Sequence, residues 1–279
     1  MTYKTIVAHL DVGARCAARV DLAIRLARRF DARLVGIAAT GLPDVIVTMN
    51  SAIPDALECV ALSAATLRQN AEAAAGAFEA QCRNAEIASF ESRVIVEEAL
   101  DAVVRHGRCS DLLVLGQTDV ASPIDGIAFD FPQQVLLHAG PPALVVPYTG
   151  RFATVGRRAL VAWKDTREAA HALRDALPLL RDAEKVSLIE IGLAVAPNGA
   201  DDSLRSAWAW LASHEVAVEA HRELDFAGAA EQLLSRATDL SVDLIVCGAY
   251  GHSRLREWVL GGVTRHLLGH MTVPSLFSH

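Results

Sequence analysis

The chain lacks the features that mark membrane, secreted and nucleic-acid-binding proteins. None of its apolar runs reaches the roughly eighteen residues of a membrane-spanning helix, and the N-terminal apolar stretch is too short for a signal-peptide core. Its five cysteines have no paired spacing, so neither a zinc knuckle nor a redox C-x-x-C is present, and reduced thiols are expected. A formal charge of −7 gives no general attraction to nucleic acid or to anionic lipid. These absences favour a cytoplasmic protein that has neither a membrane nor a nucleic-acid partner.

Aromatic residues are also scarce, at 5% of a chain that is 52% hydrophobic, so the core must be largely aliphatic. The ten histidines include no H-E-x-x-H arrangement. His266 and His270 have the spacing that places two side chains on one helix face, but no third ligand is evident. The sequence therefore predicts no metal site formed by the protein alone. With 279 residues, it has room for two ordinary domains or one large domain.

Two segments of the chain follow the same plan. A short apolar run at residues 5–8 leads to Asp11 and a helical pattern, and a similar run at residues 159–163 leads to Asp165 and another. A second strand is predicted in each copy, at residues 33–39 and 185–191. These parallels indicate an internal repeat.

The downstream parts of the repeat match more closely. Residues 110–116 resemble residues 242–248, at an offset of 132 residues. Between its first and fourth strands the first copy is about twenty residues longer, and this extra length lies in an insert at residues 41–60. An alanine-rich helical pattern follows at residues 61–82.

Strands and helices alternate in each copy, which predicts an α/β fold. The expected architecture is two tandem five-stranded, mostly parallel sheets with helices on both faces, of the Rossmann-like type. A polar stretch at residues 148–156 places the domain boundary so that the domains are 1–150 and 151–279. In such folds ligands bind beyond the carboxyl ends of the strands, where the strand order reverses.

The second copy carries glycines at this position. Gly248 ends an apolar run and Gly251 follows it, and nine residues later a pair of glycines precedes a helical pattern. Backbone N–H groups at such glycines and at a helix N-terminus can surround a phosphate group. The candidate binding residues of this loop are Gly248, Gly251, Gly261, Gly262, Val263 and Thr264.

The spacing resembles the G-x2-G-x9-G-[Ser/Thr] signature of nucleotide-binding universal stress proteins. The repeated plan extends the resemblance over nearly the whole chain, so the chain is identified as a tandem two-domain member. The resemblance implies that the second domain binds ATP or another adenine nucleotide, with or without Mg²⁺, and that the loop and the helix start hold the phosphates. It also implies that the two domains pair within the chain, and it makes a homodimer an expectation.

Two departures from the family pattern leave the nucleotide open. Gly262 stands where the family has Ser or Thr, so ATP, ADP and AMP all remain candidates. Lys164 takes the place of the family's Asp at the end of the first strand, and Asp165 follows it. Asp165 either reaches the ribose or caps the next helix, as Thr166 also can. In the first copy Asp119 replaces the second glycine, which predicts that this copy binds no triphosphate.

The predicted function is that of a stress-response regulator or sensor with little or no turnover. ATP hydrolysis would be slow at most, because no base or metal-holding carboxylate is evident from the sequence. The alternative is a scaffold that binds no nucleotide and acts through dimer or partner interfaces. That alternative is based on the apolar residues 45–49 of the insert and on the closely spaced Trp208 and Trp210.

Overall fold

The computed structural model describes residues 2–41, 56–124, 127–192, 200–251 and 262–279. The chain forms two compact units, one of residues Tyr3–Pro141 and one that is mainly Pro142–His279. Most of the insert predicted at residues 41–60 lies outside the described residues, so no contact of residues 45–49 is assigned.

In its described residues, the first unit contains four strands and four helices in alternation. Helix α1 shows why the sequence folds in this way, because the apolar residues Val20, Ala23, Ile24 and Ala27 recur at helical spacing and are all buried. The elements in chain order are β1 (Thr5–Leu10), α1 (Cys16–Phe30), β2 (Arg33–Ala39), α2 (Ala56–Asn84), β3 (Phe90–Ile95), α3 (Ala99–Gly107), β4 (Leu112–Gly116) and α4 (Phe131–His138).

The strands of the first unit lie side by side in the order β3-β2-β1-β4. Strand β1 pairs in parallel with β2 and with β4, and β2 pairs in parallel with β3. The chain therefore moves outward from β1 to β3 and returns to the other side of β1 with β4. The strand order reverses between β1 and β4.

The second unit repeats this plan. After β5 (Ala143–Val146), its elements in chain order are β6 (Arg158–Trp163), α5 (Arg167–Asp175), α6 (Leu177–Leu180), β7 (Lys185–Gly192), α7 (Ala200–Ser213), β8 (Val218–Leu224), α8 (Ala229–Asp239), β9 (Leu244–Gly248), α9 (Gly262–His270) and β10 (Ser275–Ser278). The strands lie in the order β5-β10-β9-β6-β7-β8, and the five from β10 to β8 run parallel.

The prediction of an α/β fold with mostly parallel strands is confirmed, but the strands are not divided five and five. Strand β5, expected as the fifth strand of the first copy, pairs antiparallel with β10, with Leu144 opposite Leu276. All four residues of β5 are buried, so this pairing covers an apolar strand and satisfies its backbone hydrogen bonds. Over the residues that the structure describes, the first unit consequently has four strands and the second has six.

Helices lie on both faces of the strands, as predicted. Right-handed crossovers place helices on one face while the chain moves outward and on the opposite face when it returns. The contacts agree with this rule, because α1 packs on α2, α3 packs on α4, and α8 packs on α9. Within the described parts of the chain, no helix is both long and apolar enough to cross a membrane.

Candidate functional site

A cleft of about 280 Å³ opens in the second unit at the carboxyl ends of β6, β7 and β9. It includes the point between β6 and β9 where the strand order reverses, which is the usual ligand position in folds of this type. The described residues that line it are Ala162, Trp163, Lys164, Thr166, Glu168, Ala169, Ile189, Ile191, Ala229, Leu233, Cys247, Gly248, Tyr250, Gly251, Gly262, Val263 and Thr264.

The lining has an apolar part and a glycine-rich part. Ile189 and Ile191 from β7 lie with Ala229 and Leu233 from α8 in the apolar part. The glycine-rich part combines the end of β9, the start of the loop that follows it, and the first turn of α9. A ligand with a flat apolar group and an anionic group would find a complementary surface for each.

Gly248 and Gly251 lie close to the first turn of α5. A Cβ atom at Gly248 would lie 2.6 Å from the backbone N of Ala169 and from the carbonyl carbon of Glu168. A Cβ atom at Gly251 would lie 3.1 Å from Glu168 Oε2 and 3.5 Å from Thr166 Oγ1. The absence of a side chain at Gly248 therefore allows β9 and α5 to pack closely, while Gly251 leaves room beside a carboxylate.

The start of α9 also lines the cleft. Gly262 is the first residue of this helix, is exposed, and has no atom within 4 Å of where a Cβ would lie. Thr264 is buried, and its Oγ1 accepts a 3.4 Å hydrogen bond from the backbone N–H of Tyr250, a residue in the left-handed region with φ of 60°. The Thr264 hydroxyl thus connects the loop after β9 to α9. Gly261, which the sequence also predicts as a binding residue, lies outside the described residues.

Thr166 lines the cleft, whereas Asp165 is not among the described residues that line it. Thr166 is the N-cap of α5, and its Oγ1 accepts a hydrogen bond from the backbone N–H of Ala169 at 3.3 Å. Asp165 is exposed and is not among the described residues that line the cleft. The capping role that the sequence left open between these two residues belongs to Thr166. Asp165 is not brought together with the glycines, whereas Gly248, Gly251, Gly262, Val263 and Thr264 are.

Sequence reasoning missed Glu168, which is buried and lines the cleft. Its Oε1 accepts hydrogen bonds from Arg167 Nη2 at 2.9 Å and from Nε at 3.2 Å, while its Oε2 lies beside Gly251. Burial acts to raise the pKa of Glu168, but hydrogen bonds from its own backbone N–H and from Arg167 outweigh burial and lower it. The available signal was an acid just after the Thr166 cap, where a helix N-terminus stabilises negative charge.

In the first unit, side chains of the chain itself fill the equivalent position. Arg19 is buried, its Nη2 lies 2.6 Å from Asp11 Oδ2, and its Nε donates a 2.9 Å hydrogen bond to the carbonyl oxygen of His9. A Cβ atom at Gly116, the counterpart of Gly248, would collide with this guanidinium group. Burial acts to raise the pKa of Asp11, but Arg19 and other partners outweigh it and lower that pKa.

The described residues leave little space at this end of the first unit. The cavity bordered by the ends of β1 and β2 measures about 30 Å³, roughly a tenth of the cleft in the second unit. Residues from β1, α2 and the loop after β4 close it, among them His9, Leu67 and Ile124. As far as the described residues show, a nucleotide does not fit in this cavity.

The tryptophans named for the scaffold alternative lie on α7. Trp208 is 42% exposed and its Nε1 donates a 3.1 Å hydrogen bond to the carbonyl oxygen of Val218 on β8, while the Trp210 ring contacts His214. The rings of His266 and His270 stack with centroids 4.3 Å apart. In the part of the chain that the structure describes, no group of three or more His, Cys, Asp or Glu side chains could hold a metal ion.

Comparisons with known proteins agree with this architecture. Residues 156–279 match the model of the universal stress protein family. The fold is similar to a universal stress protein from Archaeoglobus fulgidus DSM 4304, with 13% identity, coverage of 98% of this chain and 95% of that chain, and a TM-score of 0.67. It is also similar to a candidate universal stress protein from Pseudomonas aeruginosa UCBPP-PA14, with 15% identity, coverage of 99% and 93%, and a TM-score of 0.64.

A comparison with curated proteins gave no match. At these low identities the two structural similarities support the fold, and the family match covers the repeat that carries the glycine loop. Residues 156–279 therefore form a domain of the universal stress protein family.

Proposed function

We propose that the second unit binds one adenine nucleotide in the cleft between β6 and β9, and that the protein acts as a stress-response regulator or sensor. The observation that carries this proposal is the position of the cleft. It brings Gly248, Gly251 and the first turn of α9 together at the reversal point of the strand order. The family match of residues 156–279 and the glycine spacing of the loop support adenine as the base.

The lining fits the two parts of such a ligand. The apolar part around Ile189, Ile191 and Leu233 suits the faces of a base, which gain free energy when they leave water. The glycine-rich part suits a phosphate, because backbone N–H groups at a helix start carry partial positive charge and Gly262 leaves open space in front of them. Lys164 lies on the lining and adds a cation.

Slow turnover is part of the proposal. Glu168 is the one carboxylate among the described lining residues, and it is a weak base because its pKa is lowered and Arg167 holds one of its oxygens. Fast phosphoryl transfer normally needs a residue that orients water and carboxylates that hold the metal. A Mg²⁺ ion in this cleft would depend mainly on oxygens of the nucleotide for its ligands.

The first unit is proposed to bind no nucleotide. The Arg19–Asp11 ion pair lies against Gly116, and the remaining cavity is only about 30 Å³. In this proposal the first unit is a diverged copy in which an internal ion pair takes the place of the ligand. The homodimer expected from the resemblance remains a prediction.

A substitution that fills the apolar part of the cleft tests the proposal. Ala229 begins α8 and lines the cleft, so Ala229→Phe should occupy the space for the base and lower the affinity at least tenfold. Isothermal titration calorimetry with adenosine, AMP, ADP and ATP measures this. Ala227→Phe is the matched control, because Ala227 is exposed, lies two residues earlier and does not line the cleft. Absence of binding by the wild type to all four ligands, at millimolar concentration, contradicts the proposal.

A further inference from the structure

The glycine-rich part of the cleft contains a fixed negative charge. Glu168 is 8% exposed, lines the cleft and lies in the first turn of α5. Its Oε2 lies 3.1 Å from where a Cβ of Gly251 would be, so the carboxylate borders the space that this glycine leaves open. Any anionic group that approaches Gly251 meets this oxygen.

The positive end of α5 is already occupied by groups of the protein. Thr166 Oγ1 accepts the backbone N–H of Ala169, and the Glu168 carboxylate accepts its own backbone N–H. These two N–H groups are therefore already used within the protein, which reduces the number of donors that the N-terminus of α5 can offer to a phosphate. Among the described elements, the first turn of α9 and the first residue of α8 are the other helix starts that line the cleft.

Among the described lining residues, the charged side chains balance, which suits a ligand of low charge. Lys164 and Glu168 are the charged side chains among the described lining residues, with one positive and one negative charge. Arg167 pairs with Glu168 Oε1, and its side chain is 68% exposed, so water screens much of its field. A second or third phosphate group would add negative charge near Glu168 without a further cation from these residues.

We infer that Glu168 is a specificity-determining residue that makes the cleft select nucleotides of low phosphate charge, such as a nucleoside monophosphate, over nucleoside triphosphates. This inference rests on the proposed function, because it concerns the ligand of the same cleft. Glu168 acts by repulsion, since its buried carboxylate has one oxygen beside Gly251 and the other hydrogen-bonded to Arg167.

The test compares the wild type with Glu168→Gln by calorimetry at pH 7.5 without divalent cations, using adenosine, AMP and ATP. The wild type should bind AMP at least about tenfold more tightly than ATP, because the triphosphate has more charge to repel. In Glu168→Gln the ratio of the ATP dissociation constant to the AMP dissociation constant should shrink at least fivefold, while the affinity for adenosine stays unchanged. Glu184→Gln is the matched control, because Glu184 also pairs with an exposed arginine, Arg157, but lies before the amino end of β7.

Glu168→Ala gives a second reading if Glu168→Gln does not fold. It also removes the negative charge and should reduce the preference for AMP over ATP at least fivefold. Equal affinity of the wild type for AMP and ATP, or an unchanged ratio in Glu168→Gln, overturns the inference while the proposed function stands. If 5 mM Mg²⁺ makes ATP the tighter ligand and Glu168→Gln removes that gain, Glu168 is a metal ligand and the inference is also overturned. Absence of binding by all three ligands contradicts the proposed function itself.

Discussion

Buried ionisable side chains lie near the carboxyl ends of the first strands in both units, and their surroundings decide their charge. Glu168 is kept ionised by Arg167 and by its backbone N–H, whereas His9 is fully buried between Phe131 and the Asp11–Arg19 pair. Burial lowers the pKa of His9 to about 4, from an ordinary value of 6.5, and Asp11 opposes this shift only in part. His9 is therefore neutral in the folded protein at neutral pH.

This histidine makes the stability of the protein depend on pH. The unfolded chain takes up a proton at His9 below about pH 6.5, whereas the folded protein does so only below about pH 4. The contribution of His9 to stability is therefore fully present above pH 6.5 and is lost progressively as the pH drops towards 4. Between pH 7 and pH 5 the free energy of unfolding should fall by about 2 kcal/mol from this group. Urea unfolding at both pH values measures this fall in the free energy of unfolding.

His9→Gln should remove most of the difference between the two pH values, and the exposed control His138→Gln should keep that difference. An equal fall in wild type and His9→Gln would contradict this account.

At the scale of the elements, a glycine ends the equivalent central strand of each unit, and the space that it leaves is filled differently in the two units. In the second unit Gly248 ends β9 and lets the backbone of α5 approach, which brings Glu168 and Thr166 to the cleft. In the first unit Gly116 ends β4 and leaves space for the Arg19 guanidinium instead. A glycine at equivalent positions of the two copies thus borders an open cleft in the second unit and a filled position in the first unit.

Gly248→Ala should destabilise the protein, because the new Cβ would lie 2.6 Å from backbone atoms of α5 that cannot move without shifting the helix. We expect a loss of about 1–3 kcal/mol in the free energy of unfolding, the usual range for overpacking. Chemical denaturation followed by circular dichroism measures it. Gly269→Ala is the control, because a Cβ at this position of α9 has no atom within 4 Å. The account is wrong at this point if both variants are equally stable.

Sequence patterns were sufficient for several of the elements and for five loop and helix residues that the structure brings to one cleft. Apolar runs and helical spacing placed β1, β2, β7 and α1 correctly, because their burial follows from local periodicity. The pairing of β5 with β10 could not be predicted, because the residues of β5 read as an apolar strand whichever neighbour they pair with. Glu168 was missed for a related reason: its burial depends on how close β9 comes to α5, which is a property of the packing and not of the local sequence.

At the scale of the whole molecule, two copies of one plan differ in what occupies the reversal point of their strand order. The first unit has a buried ion pair and a cavity of about 30 Å³, and the second has a cleft of about 280 Å³ with glycines along one side. Breaking the Arg19–Asp11 pair would leave a buried charge without compensation, which typically costs several kcal/mol. The first unit is therefore expected to stay closed, so that one chain offers one nucleotide site.

The stoichiometry of nucleotide binding tests this central claim most directly. Calorimetric titration of the full chain with whichever of adenosine, AMP, ADP and ATP binds most tightly should give one ligand per chain. In Ala229→Phe that binding should weaken at least tenfold, whereas Ala227→Phe should leave it unchanged. Three results would contradict the account: binding of two ligands per chain, no binding of any ligand at millimolar concentration, and binding of one ligand with an affinity that Ala229→Phe does not alter.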